Sequence, residues 1–270
     1  MKEPLHMGRF FFAGARPLCL PERLLCRPLA RVCGPAVVSS ATMSSAPLPV
    51  FNPRDVPIVP SLGGERLTPA HPERLTPAGL RTLFASPPEW VPELVREKRF
   101  GDRPPTQAAV LLPLVMRDRL SLLLTQRSAH LASHSGQIAL PGGKLDAGDA
   151  DAVAAALRET HEEIGIEPGR IEVLGVLPEY VTGTSFIVTP VVGLLQPDFL
   201  LRPNPDEVAD VFEVPLDFLM DPANHRRHAW NWEGAVREWY SMPYDDAGQE
   251  RFIWGATAGM LRNFYRLLSA

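Results

Sequence analysis

Residues 140–149 read Leu-Pro-Gly-Gly-Lys-Leu-Asp-Ala-Gly-Asp, and the segment 150–166 that follows has the pattern of a helix. At about 100° per residue, Glu159, Glu162 and Glu163 fall on one arc of that helix, beside an apolar arc that would dock on a core. Three crowded carboxylates repel one another, so a compensating cation is expected, and their oxygen ligands suit Mg²⁺. The alternative is an acidic helix face that is simply solvated.

Two glycine signals accompany the acidic segment. Gly142-Gly143 lets the backbone approach closely ahead of the helix, and Gly165 just past the acidic turn suits a helix C-cap. The joint occurrence of these features resembles the Nudix box, G-x5-E-x7-R-E-U-x-E-E-x-G-U, in which U is a bulky apolar residue. The diagnostic second half, from Arg158 to Ile166, is intact.

Three positions depart from the pattern of the box. The sixth residue after Gly143 is Asp149 rather than Glu, and eight residues rather than seven separate it from Arg158. Thr160 stands at an apolar position. Asp149 is therefore expected in the place of the first box glutamate.

The Nudix resemblance implies a metal-dependent hydrolase of diphosphate bonds, with Mg²⁺ or Mn²⁺ as cofactor. It implies catalytic roles for four box residues, Arg158, Glu159, Glu162 and Glu163, of which Arg158 orients a glutamate. The expected metal ligands are Glu159, Glu163, Glu162 and, from a later loop, Glu207, for which a solvated surface position is an equal alternative. The expected substrate-binding residues are Gly142, Gly143, Lys144, Arg127 and Gln137, although a structural role is as plausible for each of the last three.

The sequence before the box resembles the coenzyme A diphosphatase branch of the family, which carries the pattern L-L-T-x-R-[S/A]-x3-R-x3-G-x3-F-P-G-G. Leu123 to Ser128, Gly136 and Pro141 to Gly143 fit this pattern at the right spacing, whereas Ala132 replaces Arg and Leu140 replaces Phe. The resemblance implies hydrolysis of coenzyme A and its thioesters to 3′,5′-ADP and a 4′-phosphopantetheine product. The alternatives are hydrolysis of ADP-ribose or another nucleoside diphosphate derivative, and a non-catalytic module that binds a nucleotide.

Composition limits the partners. The net charge of −4 gives no reason to expect nucleic acid, and no uncharged apolar run approaches the length of a membrane span. The expected partner is a small coenzyme A-like nucleotide, and the chain could assemble as a homodimer. A cytoplasmic location is predicted, with a mitochondrial location as the alternative if residues 1–42 are a transit peptide.

Composition also divides the chain into three parts. Residues 1–45 form a basic leader with six Lys or Arg and two Glu, which we interpret as a segment that is disordered or absent from the mature protein, with Met43 as the start. Residues 46–105 are a Pro-rich extension, and residues 106–270 are the expected Nudix domain.

Apolar periodicity predicts mixed strands and helices in these last two parts. Strands are expected over 108–115, 120–125, 171–177, 186–195 and 207–214, a hairpin over 229–242, and helices over 77–85, 90–97, 215–220 and 253–268. Thr68-Pro69 and Thr76-Pro77 have the pattern of helix starts. The predicted class is α+β, and the resemblance implies a Nudix fold, a mixed sheet layered between helices in an α/β/α sandwich.

Overall fold

The computed structural model describes residues 52–60, 67–100, 104–131, 134–232 and 234–270. All of them belong to one compact unit, residues 45–270. The predicted leader, residues 1–45, lies outside the described residues. The division into leader, extension and main domain stays a prediction.

The described residues form four α-helices and twelve strands. The helices are α1 (Pro77–Ala85), α2 (Ala152–Ile164), α3 (Leu216–Leu219) and α4 (Gly255–Ser269). The strands are β1 (Ile58–Val59), β2 (Thr106–Met116), β3 (Leu120–Arg127), β4 (Ile138–Ala139), β5 (Gly142–Lys144), β6 (Ile171–Val176), β7 (Tyr180–Val181), β8 (Phe186–Leu195), β9 (Val208–Pro215), β10 (Arg226–Trp232), β11 (Ala235–Asp246) and β12 (Gln249–Trp254).

The larger sheet is mixed and has the order β4-β3-β2-β8-β6, with β5 also paired to β2, β7 to β8 and β9 to β3. Its centre is the parallel pair β2 and β8, which runs from Thr106 opposite Phe186 to Val115 opposite Leu195. The short strand β5 pairs antiparallel with β2. This pairing places Gly142 and Gly143 beside the first half of the central strand.

Alternate side chains of β2 face two different cores, as the period of a strand requires. Ala109, Leu111 and Val115 pack with α2, whereas Leu112 and Leu114 pack with α4. The sheet therefore lies between helical layers, which confirms the predicted α+β Nudix fold. The smaller antiparallel sheet, in the order β1-β10-β11-β12, contributes to the same side as α4.

The predicted helix over 90–97 is wrong, because this segment is extended and pairs with β7. The Glu97 amide donates to the Val181 carbonyl at 2.8 Å, and the Val181 amide donates to the Val95 carbonyl at 3.0 Å. Backbone groups must find partners somewhere, and here the partners lie more than 80 residues away. A local apolar pattern carries no information about such a distant pairing.

The expected helix starts have different outcomes. Thr76 caps α1, and its hydroxyl accepts a hydrogen bond from the Gly79 amide at 3.0 Å, as predicted. Thr68-Pro69 starts no helix, and the Thr68 carbonyl instead accepts a hydrogen bond from the Tyr265 hydroxyl at 2.7 Å.

Candidate active site

The acidic helix α2 begins two residues after the start of the predicted segment 150–166, and it ends at Ile164 before the predicted C-cap Gly165. Asp151 caps the first turn by accepting a hydrogen bond from the Ala154 amide at 2.8 Å. At the other end Gly165 adopts a left-handed conformation with φ of 75°, and its amide donates to the His161 carbonyl. Because the apolar arc of the helix packs on the sheet, its acidic arc lies toward β5 and β3.

Glu163 is the most enclosed carboxylate of the box, with 3% of its side chain exposed. Its Oε2 accepts a hydrogen bond from the Gly142 amide at 3.2 Å, and its Oε1 lies 3.6 Å from Nη1 of Arg127. Burial raises the pKa of this carboxyl to about 7, against the lowering effect of these two donors. The negative charges of Glu207 and Glu159 contribute to this raised pKa.

Glu159 lies against the backbone of β5. A Cβ atom added at Gly143 would stand 2.7 Å from Oε1 of Glu159 and closer still to Oε2, so only glycine leaves room for this carboxylate. Burial raises the pKa of Glu159, the hydrogen bond from Arg158 opposes that rise, and the Glu207 charge adds to it.

Arg158 organises the outer side of the site. Its Nε and Nη2 donate to the two carboxylate oxygens of Asp149 at 2.9 and 2.8 Å, and its Nη1 donates to Glu159 and Glu162 at 3.0 Å each. Nη2 also donates to the Lys144 carbonyl at 3.1 Å. The Arg158 guanidinium lowers the pKa of Asp149 to about 2. Asp149, which stands where the box pattern has Glu, thus makes a bidentate pair with Arg158.

The structure gathers most of the predicted site residues but not all of them. Glu159, Glu163, Arg127 and the two glycines of β5 converge, as described above. The side chain of Glu162 is 54% exposed, and it is linked to the other site residues through its hydrogen bond from Arg158. Lys144 is exposed. The Arg127 amide donates to the Gln137 carbonyl at 2.9 Å, while the Gln137 side chain pairs with His134.

The loop before β9 brings Glu207 to the same place. The Asn204 amide donates to the Glu163 carbonyl at 2.8 Å, and the Asn204 side chain donates to Oε1 of Glu207 at 3.4 Å. Asn204 therefore links helix and loop, a role that sequence reasoning missed. Its only signal in the sequence was its position three residues before the expected metal ligand Glu207.

The residues present fit a hard divalent cation. Among the described residues, no group of three or more His, Cys, Asp or Glu side chains is arranged to hold a metal ion. However, Mg²⁺ usually takes only one or two protein carboxylates and fills its shell with water and phosphate oxygens. Glu163 is buried and Glu159 is half-buried, their charges repel each other and that of Glu207, and a cation would offset this repulsion.

Within the described part of the chain, no helix is long and apolar enough to cross a membrane.

Comparison with known proteins gives the following matches. The family model described as NUDIX domain matches residues 105–241. NudL of Escherichia coli (strain K12), described as an uncharacterized Nudix hydrolase, is 46% identical over 157 residues, which cover 58% of this chain and 79% of NudL. NudL of Shigella boydii matches with the same identity and coverage.

Two solved structures are similar over part of the chain. The Ap4A hydrolase of C. elegans, in a binary complex, is 24% identical, with a TM-score of 0.35 over 42% of this chain and 81% of that chain. The NUDIX domain of Shewanella oneidensis NrtR, solved with ADP ribose, is 25% identical, with a TM-score of 0.34 over 45% of this chain and 80% of that chain.

Proposed function

Because the chain belongs to the Nudix hydrolase family, we propose that it hydrolyses the diphosphate bond of coenzyme A and its thioesters. The products would be 3′,5′-ADP and a 4′-phosphopantetheine compound. Members of the family are hydrolases of phosphorus anhydrides that act on nucleoside diphosphate derivatives and generally use divalent metal ions. One observation carries the narrower proposal: Arg127, from the pattern of the coenzyme A branch, reaches the buried box glutamate Glu163 at 3.6 Å.

We assign the metal site to the carboxylates of Glu159 and Glu163, with Glu207 and Glu162 as further ligands. A bound Mg²⁺ or Mn²⁺ neutralises diphosphate charge and lowers the pKa of its water. The protein's own contribution is to hold these carboxylates in place. The Gly142 amide fixes Glu163, and Arg158, itself held by Asp149, orients Glu159.

The substrate side of the site is assigned to Arg127, Gln137, Lys144 and the two glycines of β5. A guanidinium can pair with two phosphate oxygens at once, which suits Arg127 to the diphosphate. Lys144 is exposed and its backbone carbonyl accepts a hydrogen bond from Arg158, so its ammonium would be a point charge available to a phosphate group. The glycines leave the β5 backbone open to close approach.

The proposal is tested by hydrolysis of a substrate panel with Mg²⁺ or Mn²⁺, with the products resolved by chromatography. The panel contains coenzyme A, acetyl-coenzyme A, ADP-ribose, NADH and diadenosine polyphosphates. We expect 3′,5′-ADP to appear fastest from the two coenzyme A compounds. Faster cleavage of ADP-ribose would contradict the coenzyme A assignment and keep the hydrolase, whereas binding without cleavage would indicate a non-catalytic nucleotide-binding module.

The site assignment has its own test in Glu163→Gln. This variant should lose turnover and remain folded, because the substitution preserves shape and removes a metal ligand. Glu172→Gln is the matched control and should keep full activity. It changes an exposed glutamate of β6 that is paired with Arg81 of α1. Metal-dependent activity in Glu163→Gln would remove Glu163 from the proposed site.

A further inference from the structure

We infer that Arg127 is a positioning residue for Glu163: without metal, its guanidinium is the counter-charge of the Glu163 carboxylate. A metal ion that binds Glu163 must therefore displace Arg127. The inference rests on the proposed metal-dependent function. The pair between Arg127 and Glu163 belongs to the protein without bound metal or substrate.

The geometry places two donors on the two oxygens of one buried carboxylate. Oε2 of Glu163 accepts a hydrogen bond from the Gly142 amide, and Oε1 faces Nη1 of Arg127. With 3% of its side chain exposed, Glu163 has almost no contact with solvent water. A buried carboxylate needs a counter-charge, and the Arg127 guanidinium is the cation that the structure places beside it.

Arg127 is held loosely, unlike the other arginine of the site. Its contact with Glu163, at 3.6 Å, is longer than a hydrogen bond. Among the described residues nothing accepts a hydrogen bond from its buried Nε. Arg158, in contrast, donates to Asp149, Glu159, Glu162 and the Lys144 carbonyl.

This difference separates the two roles. Arg158 is fixed by its network, whereas Arg127 gives up little when it leaves Glu163. Its side chain is 25% exposed although Nε is buried, so part of the side chain is open to solvent and can turn toward an incoming anion. Arg127 and the metal therefore compete for one carboxylate, and displacement would free the guanidinium for a phosphate oxygen.

The test is the affinity of the full-length, metal-free protein for Mn²⁺ without substrate, measured from the electron paramagnetic resonance signal of free Mn²⁺. Arg127→Met keeps the length of the side chain and removes its charge, so it should bind Mn²⁺ roughly 10-fold more tightly, within the usual range of coupling between competing equilibria. Arg127→Lys keeps the charge and should stay closer to the wild type. Arg81→Met, which breaks the exposed pair with Glu172, should not change the affinity.

A second measurement observes the arginine itself and does not depend on the folding of Arg127→Met. In the ¹⁵N–¹H spectrum of the wild type, the Nε signal that Arg127→Lys removes should shift when Mg²⁺ is added. Unchanged or weaker Mn²⁺ binding by a folded Arg127→Met would overturn the inference. Tighter Mn²⁺ binding by Arg127→Met without a shift of the wild-type Arg127 Nε signal would also overturn it. In that case the charge of Arg127 would only repel the metal ion from a distance. A wild-type protein that binds no Mn²⁺ would instead contradict the proposed metal-dependent function itself.

Discussion

At the scale of single residues, Glu163 makes the stability of the metal-free protein depend on pH. Its pKa is raised by burial from 4.5 to about 7. Because the folded protein then binds the proton more tightly than the unfolded chain, the free energy of unfolding falls as the pH rises from about 4.5 to 7. Glu163→Gln mimics the protonated form and escapes this loss.

At pH 8 with a chelator, Glu163→Gln should therefore be more stable than the wild type, by up to about 3 kcal/mol at 1.4 kcal/mol per pKa unit. Near pH 4.5 the two proteins should unfold alike, and Mg²⁺ at pH 8 should stabilise only the wild type. Denaturant unfolding at the two pH values measures the difference. A difference that is the same at both pH values would contradict the raised pKa.

Asp149 acts on the reaction through Arg158 and Glu159, without a direct contact to the proposed metal site. Asp149→Ala removes both hydrogen bonds from Nε and Nη2 of Arg158 to Asp149, so the guanidinium is held less firmly, by Glu159, Glu162 and the Lys144 carbonyl. We expect kcat to fall by about 10- to 100-fold, the usual effect of losing a residue that orients a metal ligand, with little change in KM. Steady-state kinetics measure both constants, and Asp198→Ala, which breaks an exposed pair with Arg170, is the control. A rise in KM at constant kcat would instead assign Asp149 to substrate binding.

At the scale of elements, the two glycines of β5 serve different purposes. The atoms nearest to a Cβ at Gly143 would belong to the movable carboxylate of Glu159, whereas those nearest to a Cβ at Gly142 would include the backbone of Ala109 and Val110. Gly142 also has φ of 148°, a conformation that strains any other residue.

Gly143→Ala should therefore reduce kcat by at least about 10-fold, because it displaces a proposed metal ligand, at little cost in stability. Gly142→Ala should instead destabilise the protein by about 1–3 kcal/mol, the usual cost of a strained backbone. Kinetics and thermal unfolding of both variants give the comparison. Equal loss of stability in the two variants would show that β5 tolerates neither side chain.

The elements that sequence reasoning found are those with local causes. Period and capping residues define α2 and α1, and continuous apolar runs define β2 and β8. The segment 90–97 was mispredicted as a helix because its partners, β7 and α4, are distant in sequence. The bidentate pairing of Asp149 with Arg158 and the link through Asn204 depend on side-chain geometry, so spacing alone could not reveal them.

At the scale of the whole molecule, the part of the chain that the family model matches is joined to elements before and after it. The family model ends at residue 241, and both the segment 93–100 and α4 lie outside residues 105–241. Asn263 of α4 accepts a hydrogen bond from the Leu94 amide at 3.0 Å, and Nε of Arg262 donates to Glu93 at 2.8 Å. These contacts tie the chain before the domain to the helix after it.

The pair between Glu93 and Arg262 should be the most sensitive of these contacts. Arg262 is 3% exposed, and besides the rings of Tyr240 and Tyr265 it contacts Nδ1 of His225, a neutral imidazole because burial lowers its pKa to about 4. Glu93→Ala therefore leaves a buried guanidinium without a counter-charge, which costs about 3 kcal/mol, or roughly 5–10 °C in Tm for a domain of this size.

Thermal unfolding of Glu93→Ala tests this expectation. The control is Glu89→Ala, which changes an exposed glutamate four residues before Glu93 and should unfold as the wild type does. At temperatures well below its Tm, Glu93→Ala should keep the wild-type kcat, because none of the residues assigned to the active site contacts Glu93. A Tm within about 1 °C of the wild type would show that solvent or a neighbouring group replaces the lost charge, and that the segment before the domain contributes little to its stability.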